Sequence, residues 1–176
     1  IVGTVERGAR LVEDRFLNAH GGGEGGDSPI GMAGKAGAPK PDSSSQEHRV
    51  ASLLAARSVA WSEAGASGHW FSQLIKQLNI DEHLRARGTV IPAGFTAEQL
   101  INGKADIAVQ QISELLMVPG IDIVGPLPSG TQQPISLSAA QLQEATYPEE
   151  VAAFLAWLKT PSVTQVFNQF GMLRRD

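Results

Sequence analysis

Along the chain the spacing of apolar and polar positions changes period several times, and each change marks an element. In the first eighteen residues Val5, Leu11, Val12 and Phe16 fit a short helix only poorly. A regular pattern starts at Ile30: residues 30–34 read as a short strand, and Ala38-Pro39-Lys40-Pro41 keeps the following stretch extended. Ser44 and Glu47 have the spacing of a capping box ahead of a helix that turns Val50, Leu53 and Leu54 inward. Residues 58–61 predict a strand, Gly65-Ala66-Ser67-Gly68 a turn, and Phe71, Leu74, Ile75 and Leu78 the inner stripe of a helix. The unit then repeats, with a strand at Thr89-Val90-Ile91, a turn at Pro92-Ala93-Gly94, a helix over 96–102 closed by Gly103, and a strand over 106–112. Residues 121–124 add another strand, ended by Gly125-Pro126-Leu127-Pro128. Strands alternating with helices over short connections predict an α/β fold whose sheet is mainly parallel and covered by helices on both faces.

Residues 134–139 allow one more strand before two helices. The first runs from about Pro148, with Thr146 and Glu149 as its capping box and Val151, Phe154, Leu155 and Leu158 as its buried face. The second restarts at Thr160-Pro161, carries the stripe Val163, Val166, Phe167 and Phe170, and ends at Gly171. Glycine is concentrated elsewhere: eight of the 19 lie between Gly21 and Gly37, and the Gly21–Gly26 run predicts a flexible connection.

Composition narrows the function classes. A chain of 176 residues with 42% hydrophobic and 18% charged positions is an ordinary globular protein of one domain, or two small ones. Fourteen basic against 18 acidic residues give a net charge of −4, which excludes a nucleic-acid partner. The absence of cysteine removes thiolate nucleophiles and cysteine-based zinc sites. No apolar run approaches a membrane span, and the start lacks the basic-then-apolar pattern of a signal peptide.

Candidate chemistry concentrates in two turns. Glu63-Ala64-Gly65-Ala66-Ser67-Gly68 joins a strand to a helix N-terminus, where unpaired N–H groups, the helix dipole and the Ser67 hydroxyl suit a small anion. Pro92-Ala93-Gly94 is a second turn of the same kind, placed beside the first at the carboxyl ends of the strands. Together they would make a pocket of neutral donors. Enzyme templates fit less well: His69 stands where a nucleophile elbow needs glycine, and Pro29 and Ala36 replace the first glycine and the Ser/Thr of a phosphate loop around Gly34-Lys35. An α/β enzyme would need His69 or Glu63 turned onto Ser67. His20, His48, His69 and His83 lack metal-binding spacing, Asp81-Glu82-His83 reads as a solvated helix end, and Trp61, Trp70 and Trp157 read as core, with Trp70 close enough to Ser67 to wall a pocket.

Three segments, Ser28 to Asp42, Gly103 to Glu114 and Val118 to Pro128, followed by Ala152 to Pro161 and Val166 to Met172, resemble the molybdate-type periplasmic solute-binding proteins of ABC transporters. The resemblance implies a type II periplasmic binding protein: two α/β lobes closing on a solute between them, with no catalysis, cofactor or metal. It implies that a small oxyanion is held by Ser67, Gly68, Ala93 and Gly94. A family tyrosine that donates to the oxyanion falls at Gln111, a departure that leaves molybdate, tungstate or a related small anion or organic acid as the solute. The implied partners are ABC transporter membrane subunits and the implied location is the periplasm. In this frame residues 1–27 are a poorly matching remnant and glycine-rich linker, 28–128 the second lobe, and 129–176 the return strand and helices of the first lobe. Most of the first lobe then has no counterpart, and the expectation is either a chain that has lost that lobe or one whose beginning lies upstream; with the lobe absent, oxyanion binding by the lone chain is expected to be weak or undetectable. A lobe without its partner would expose apolar surface on the C-terminal helices and pair with itself, which makes an interaction module the alternative reading.

Overall fold

The structure, a computed structural model, describes residues 1–127 and 135–174. The expected boundary at 128/129, Pro134 and the side chain of His20 lie outside the described residues. β1 (Val2–Thr4) leads into α1 (Val5–Glu13), whose first turn is capped by Thr4 Oγ1 accepting the Arg7 N–H at 3.4 Å. β2 (Leu17–Ser28) and β3 (Ile30–Lys35) meet at Pro29. α2 (Gln46–Ala55) begins one residue later than the capping-box spacing predicts. Asp42 Oδ1 accepts the Ser44 N–H at 2.9 Å, and Ser44 Oγ lies 2.8 Å from the His48 ring. Ser45 therefore takes the cap, accepting the His48 N–H at 3.1 Å. The predicted alternation then follows as β4 (Val59–Ser62), α3 (Ala66–Gln77), α4 (Asp81–Arg87), β5 (Thr89–Ile91), α5 (Glu98–Ile101) and β6 (Ile107–Gln111). Asp81, Glu82 and His83 open α4. α6 (Ile112–Leu115) leads to β7 (Ile121–Pro126), and β8 (Ile135–Leu142), α7 (Pro148–Trp157), α8 (Pro161–Gln169) and β9 (Leu173–Arg174) complete the order. α7 is capped at Tyr147 rather than Thr146, because Pro148 already occupies its first helical position.

The chain divides into two compact units, Ile1–Ser28 with Ile135–Asp176, and Pro29–Pro134. The first is built on a sheet in the order β1-β8-β2-β9 with every pair antiparallel. Here the Gly21–Gly26 run is strand and not a flexible connection: it lies within β2 and pairs with β8, with register shifts on either side of Gly22 to Glu24. Missing side chains make this approach possible, since a Cβ on Gly25 would meet the Leu137 carbonyl oxygen at 2.9 Å and one on Gly26 the Leu173 oxygen at 3.0 Å. The two C-terminal helices are less buried than their apolar stripes predict. Of those positions only Val163 is fully buried; Phe154, Val166 and Phe170 are each close to half exposed, and Trp157, expected in the core, is exposed and stacks on Phe154 at 5.7 Å. Among the described residues of this unit no element covers that face.

The second unit carries a five-stranded sheet in the order β5-β4-β6-β3-β7. β4 runs parallel to β5 and β6, and β3 runs against both β6 and β7, so four of the five strands share one direction and β3 is the single reversed strand in the expected α/β fold. Ala33, Ala108 and Ala60 stand side by side across β3, β6 and β4, and this row of small residues belongs to one buried cluster with Leu100 of α5 and Leu115 of α6. Trp61 is fully buried, with Phe71 of α3 edge-on to its ring at 5.5 Å and Arg85 of α4 at 5.8 Å from its centroid. That packing seats α3 against β4. Arg57 ties the entry of β4 to that of β6, its N–H and guanidinium both donating to Asp106 at 3.0 Å. Replacing Phe71 by Ala would open a cavity beside Trp61 and is expected to lower stability by about 3–5 kcal/mol, read from the guanidinium midpoint by tryptophan fluorescence; an unchanged midpoint would contradict this packing.

Candidate functional site

β4, β5 and β6 are parallel, so their carboxyl ends share one edge, with Ser62 of β4 level with Ile91 of β5. The turn after β4 is lashed to that edge: the Glu63 N–H donates to the Ile91 oxygen at 2.8 Å, the Ala64 N–H to the Pro92 oxygen at 3.3 Å, and Ser62 Oγ to the Ala64 oxygen at 2.7 Å. Gly65 adopts φ +93°, which an L side chain rarely tolerates, and opens α3 with no capping side chain. The N–H groups of Ala66, Ser67 and Gly68 thus have neither an acceptor within the helix nor a cap. Ser67 and Gly68 are buried. Gly68 is there because nothing larger fits, since a Cβ would lie 1.8 Å from the Ser62 carbonyl oxygen.

The second turn sits alongside, joined by the same two bonds from Glu63 and Ala64 to Ile91 and Pro92. Gly94 has φ +99°. Behind it Gln110 of β6 is buried, with Nε2 donating to the Gly94 oxygen at 3.0 Å and Oε1 accepting the Thr96 N–H at 2.9 Å and the Thr96 hydroxyl at 3.1 Å. Gln111 follows at the end of β6 as the N-cap of α6. Its Nε2 donates to Glu114 Oε2 at 3.3 Å, so one of its two side-chain N–H groups is already engaged. Burial pushes the Glu114 carboxyl above the usual glutamate range, against hydrogen bonds from the Gln111 backbone and side chain and from Gln110 that pull it down. Glu114 returning to the N-cap N–H three residues earlier is half of a capping box.

All five residues singled out from sequence, Ser67, Gly68, Ala93, Gly94 and Gln111, therefore lie in the second unit, at the ends of its three parallel strands. Sequence reasoning missed Gln110, Thr96 and Glu114. The spacing from Gln111 to Glu114 is a local signal that could have found the last; a contact between positions 96 and 110 leaves no local trace.

Alternative chemistry finds less support. His69 pairs with Gln73 at 3.0 Å, Glu63 is exposed, and neither hydrogen-bonds Ser67. Ser44 and Asp42 both face Nδ1 of His48, at 2.8 and 3.4 Å, whereas a proton relay needs the two opposite ring nitrogens. Among the described residues no group of three or more His, Asp or Glu is placed to hold a metal ion, and no helix is long and apolar enough to cross a membrane. A cavity of about 620 Å³ in the first unit, lined by Val2, Arg7, Leu11 and Leu137 among others, holds none of the candidate residues.

In an α/β sheet, the edge where parallel strands end in such turns is where ligands are bound. The chain belongs to the bacterial extracellular solute-binding protein family, whose model matches residues 1–173. It is 35% identical over 148 residues to an aconitate isomerase from Pseudomonas sp, a match covering 84% of this chain and 56% of that protein. The chain thus spans little more than half the length of this curated relative. Among solved structures, the periplasmic molybdate-binding protein of Azotobacter vinelandii superimposes with a TM-score of 0.76 at 16% identity, over 99% of this chain and 78% of that one. A tungstate-binding protein from Desulfovibrio alaskensis does so with a TM-score of 0.64 at 14% identity, over 99% and 77%.

Two outcomes follow from the site's geometry. Gly68→Ala forces α3 off the end of β4 and is expected to lower stability by about 3 kcal/mol; a variant as stable as wild type in denaturant melts would contradict the contact with Ser62. For Glu114, a raised folded value means that the fold holds this proton more tightly than the unfolded chain does. Its contribution to stability is full below the ordinary glutamate range and is lost as pH rises through the raised value. Glu114→Gln, neutral throughout, should gain in Tm relative to wild type as pH rises from the ordinary glutamate range through the raised value, and a pH-independent difference would contradict this.

Proposed function

We propose that this chain captures a small anionic solute, molybdate, tungstate or a related small oxyanion or carboxylate, at the edge where β4, β5 and β6 end. As part of an ABC transporter's solute-binding protein in the periplasm, it would hand that solute to the membrane subunits. The observation that carries the reading is the set of N–H groups at Ala66, Ser67 and Gly68 that no residue of α3 and no cap satisfies. Such groups, backed by the dipole of a twelve-residue helix, hold negative charge without a counter-ion. Ser67 would supply its amide and hydroxyl, Gly68, Ala93 and Gly94 their amides, and Gln111 its remaining side-chain N–H. Fixed neutral donors select by size and geometry, and binding releases the solute unchanged. The fold shared with molybdate- and tungstate-binding proteins supports an oxyanion; the sequence relative named aconitate isomerase supports a carboxylate, which presents two oxygens of the same kind to the same donors.

That relative also favours a second reading, in which the chain is part of an isomerase. Moving a double bond along a carboxylic acid by proton transfer breaks one C–H bond and forms another, and needs one group to take and return the proton. Glu114, half-buried with a raised carboxyl at the same edge, is the residue suited to it.

Calorimetry with molybdate, tungstate, sulfate, cis-aconitate and trans-aconitate separates the readings. At least one anion should bind wild type, and Ser67→Asp, which puts a carboxylate among the amides, should weaken it by tenfold or more while Ser67→Asn controls for folding. No binding by any of the five, or equal binding by Ser67→Asp, would overturn the capture reading. Formation of trans- from cis-aconitate, followed by proton NMR and lost in Glu114→Gln, would establish the isomerase reading instead.

A further inference from the structure

We infer that Gln110, rather than touching the solute, is a positioning residue that presets the second anion-binding turn, an inference that rests on the capture reading. Gln110 is 4% exposed on β6, and its side-chain atoms are all engaged. Its oxygen takes two donors from Thr96, and its nitrogen donates to the Gly94 carbonyl at 3.0 Å. Exchanging the oxygen and nitrogen would set N–H groups against the Thr96 N–H and leave buried groups unpaired, so the side chain has one orientation.

The consequence falls on the peptide between Gly94 and Phe95. Among the described residues no peptide bond is cis, and in a planar trans peptide the N–H points opposite to the carbonyl. Holding the Gly94 oxygen on Gln110 therefore aims the Phe95 N–H away from the buried side chain. Among the described residues the N–H groups of Ala93, Gly94 and Phe95 have no acceptor within the chain. Gly94, with φ +99°, is the most freely rotating point of this turn, and the bond to Gln110 removes that freedom before a ligand arrives. A donor turn fixed in advance binds more tightly than one that must be ordered on binding. The adjacent Gln111, which carries the family's oxyanion contact by resemblance, has no such link to the turn.

Two buried substitutions distinguish positioning from a general loss of stability. Gln110→Met keeps the shape and removes the tether to Gly94. Thr96→Val removes the hydroxyl's bonds to Gln110 and Val109 but leaves the Gly94 contact intact. Wild type and both variants are titrated with molybdate and with trans-aconitate, and the amide resonances of Ser67, Gly68, Gly94 and Phe95 are followed by NMR, with Tm recorded for each. The expected result is an affinity about tenfold lower in Gln110→Met, with shifts lost at Gly94 and Phe95 but kept at Ser67 and Gly68, and an affinity within about threefold of wild type in Thr96→Val. Equal losses in the two variants, or wild-type affinity in Gln110→Met, would overturn the positioning role. Failure of wild type itself to bind either probe, or tungstate, sulfate or cis-aconitate in their place, would overturn the capture reading and this inference with it, and is told apart because it shows before any substitution is made.

Discussion

Between Gly68 and the carbonyl of Ser62 there is no room for a single carbon atom: a Cβ on residue 68 would lie 1.8 Å from that oxygen. The contact sets where α3 begins and how closely its first turn meets the end of β4. From it follow the burial of Ser67, the left-handed Gly65 that lets the chain turn so sharply, and the placing of three uncapped N–H groups at the strand edge. The edge-to-face packing of Phe71 on Trp61 holds the next turn of the same helix down on the same strand. One turn further along the edge, Glu63 and Ala64 bond to Ile91 and Pro92, and Gln110 reaches up from β6 to Gly94 and Thr96. Neutral backbone and amide groups do all of this work, in keeping with a chain that carries no excess of basic residues.

Local signals were readable from the residues alone. The strand, glycine turn and helix around Ser67, and the repeat around Gly94, follow from apolar spacing and glycine placement, both of which act over a few residues. The Gly21–Gly26 run misled because glycine signals freedom when read locally, whereas here its missing side chains admit the backbones of β8 and β9. The direction of β3 was equally hidden, since periodicity is the same in a strand whichever way it runs. Val166 and Phe170 share a helical stripe with Val163, and Phe154 shares one with Leu155 and Leu158, but a stripe shows only that a face is apolar, and these three phenylalanine and valine side chains stay close to half exposed. Which of the adjacent Gln110 and Gln111 braces the second turn depends on Thr96, fourteen positions away from Gln110.

Membership in the extracellular solute-binding protein family sets the architecture, and two of the solved structures with this fold are named for binding molybdate and tungstate, while the curated relative is named for an isomerase. A shared fold does not fix the chemistry, so what distinguishes these proteins lies in the side chains beside the strand ends. In this chain that neighbourhood holds Gln111 and Glu114: an amide with one N–H engaged, and a carboxyl raised by burial.

The central claim is that an anion binds at the ends of β4 and β5. Diffraction from crystals of this chain grown with tungstate or with trans-aconitate tests it most directly, since the metal's anomalous signal or the acid's density locates the ligand independently of affinity. The account predicts oxygen atoms within hydrogen-bonding distance of the Ser67 and Gly68 amides and of the Ala93 to Phe95 turn. A bound anion located elsewhere on the chain, with those amides untouched, would contradict it.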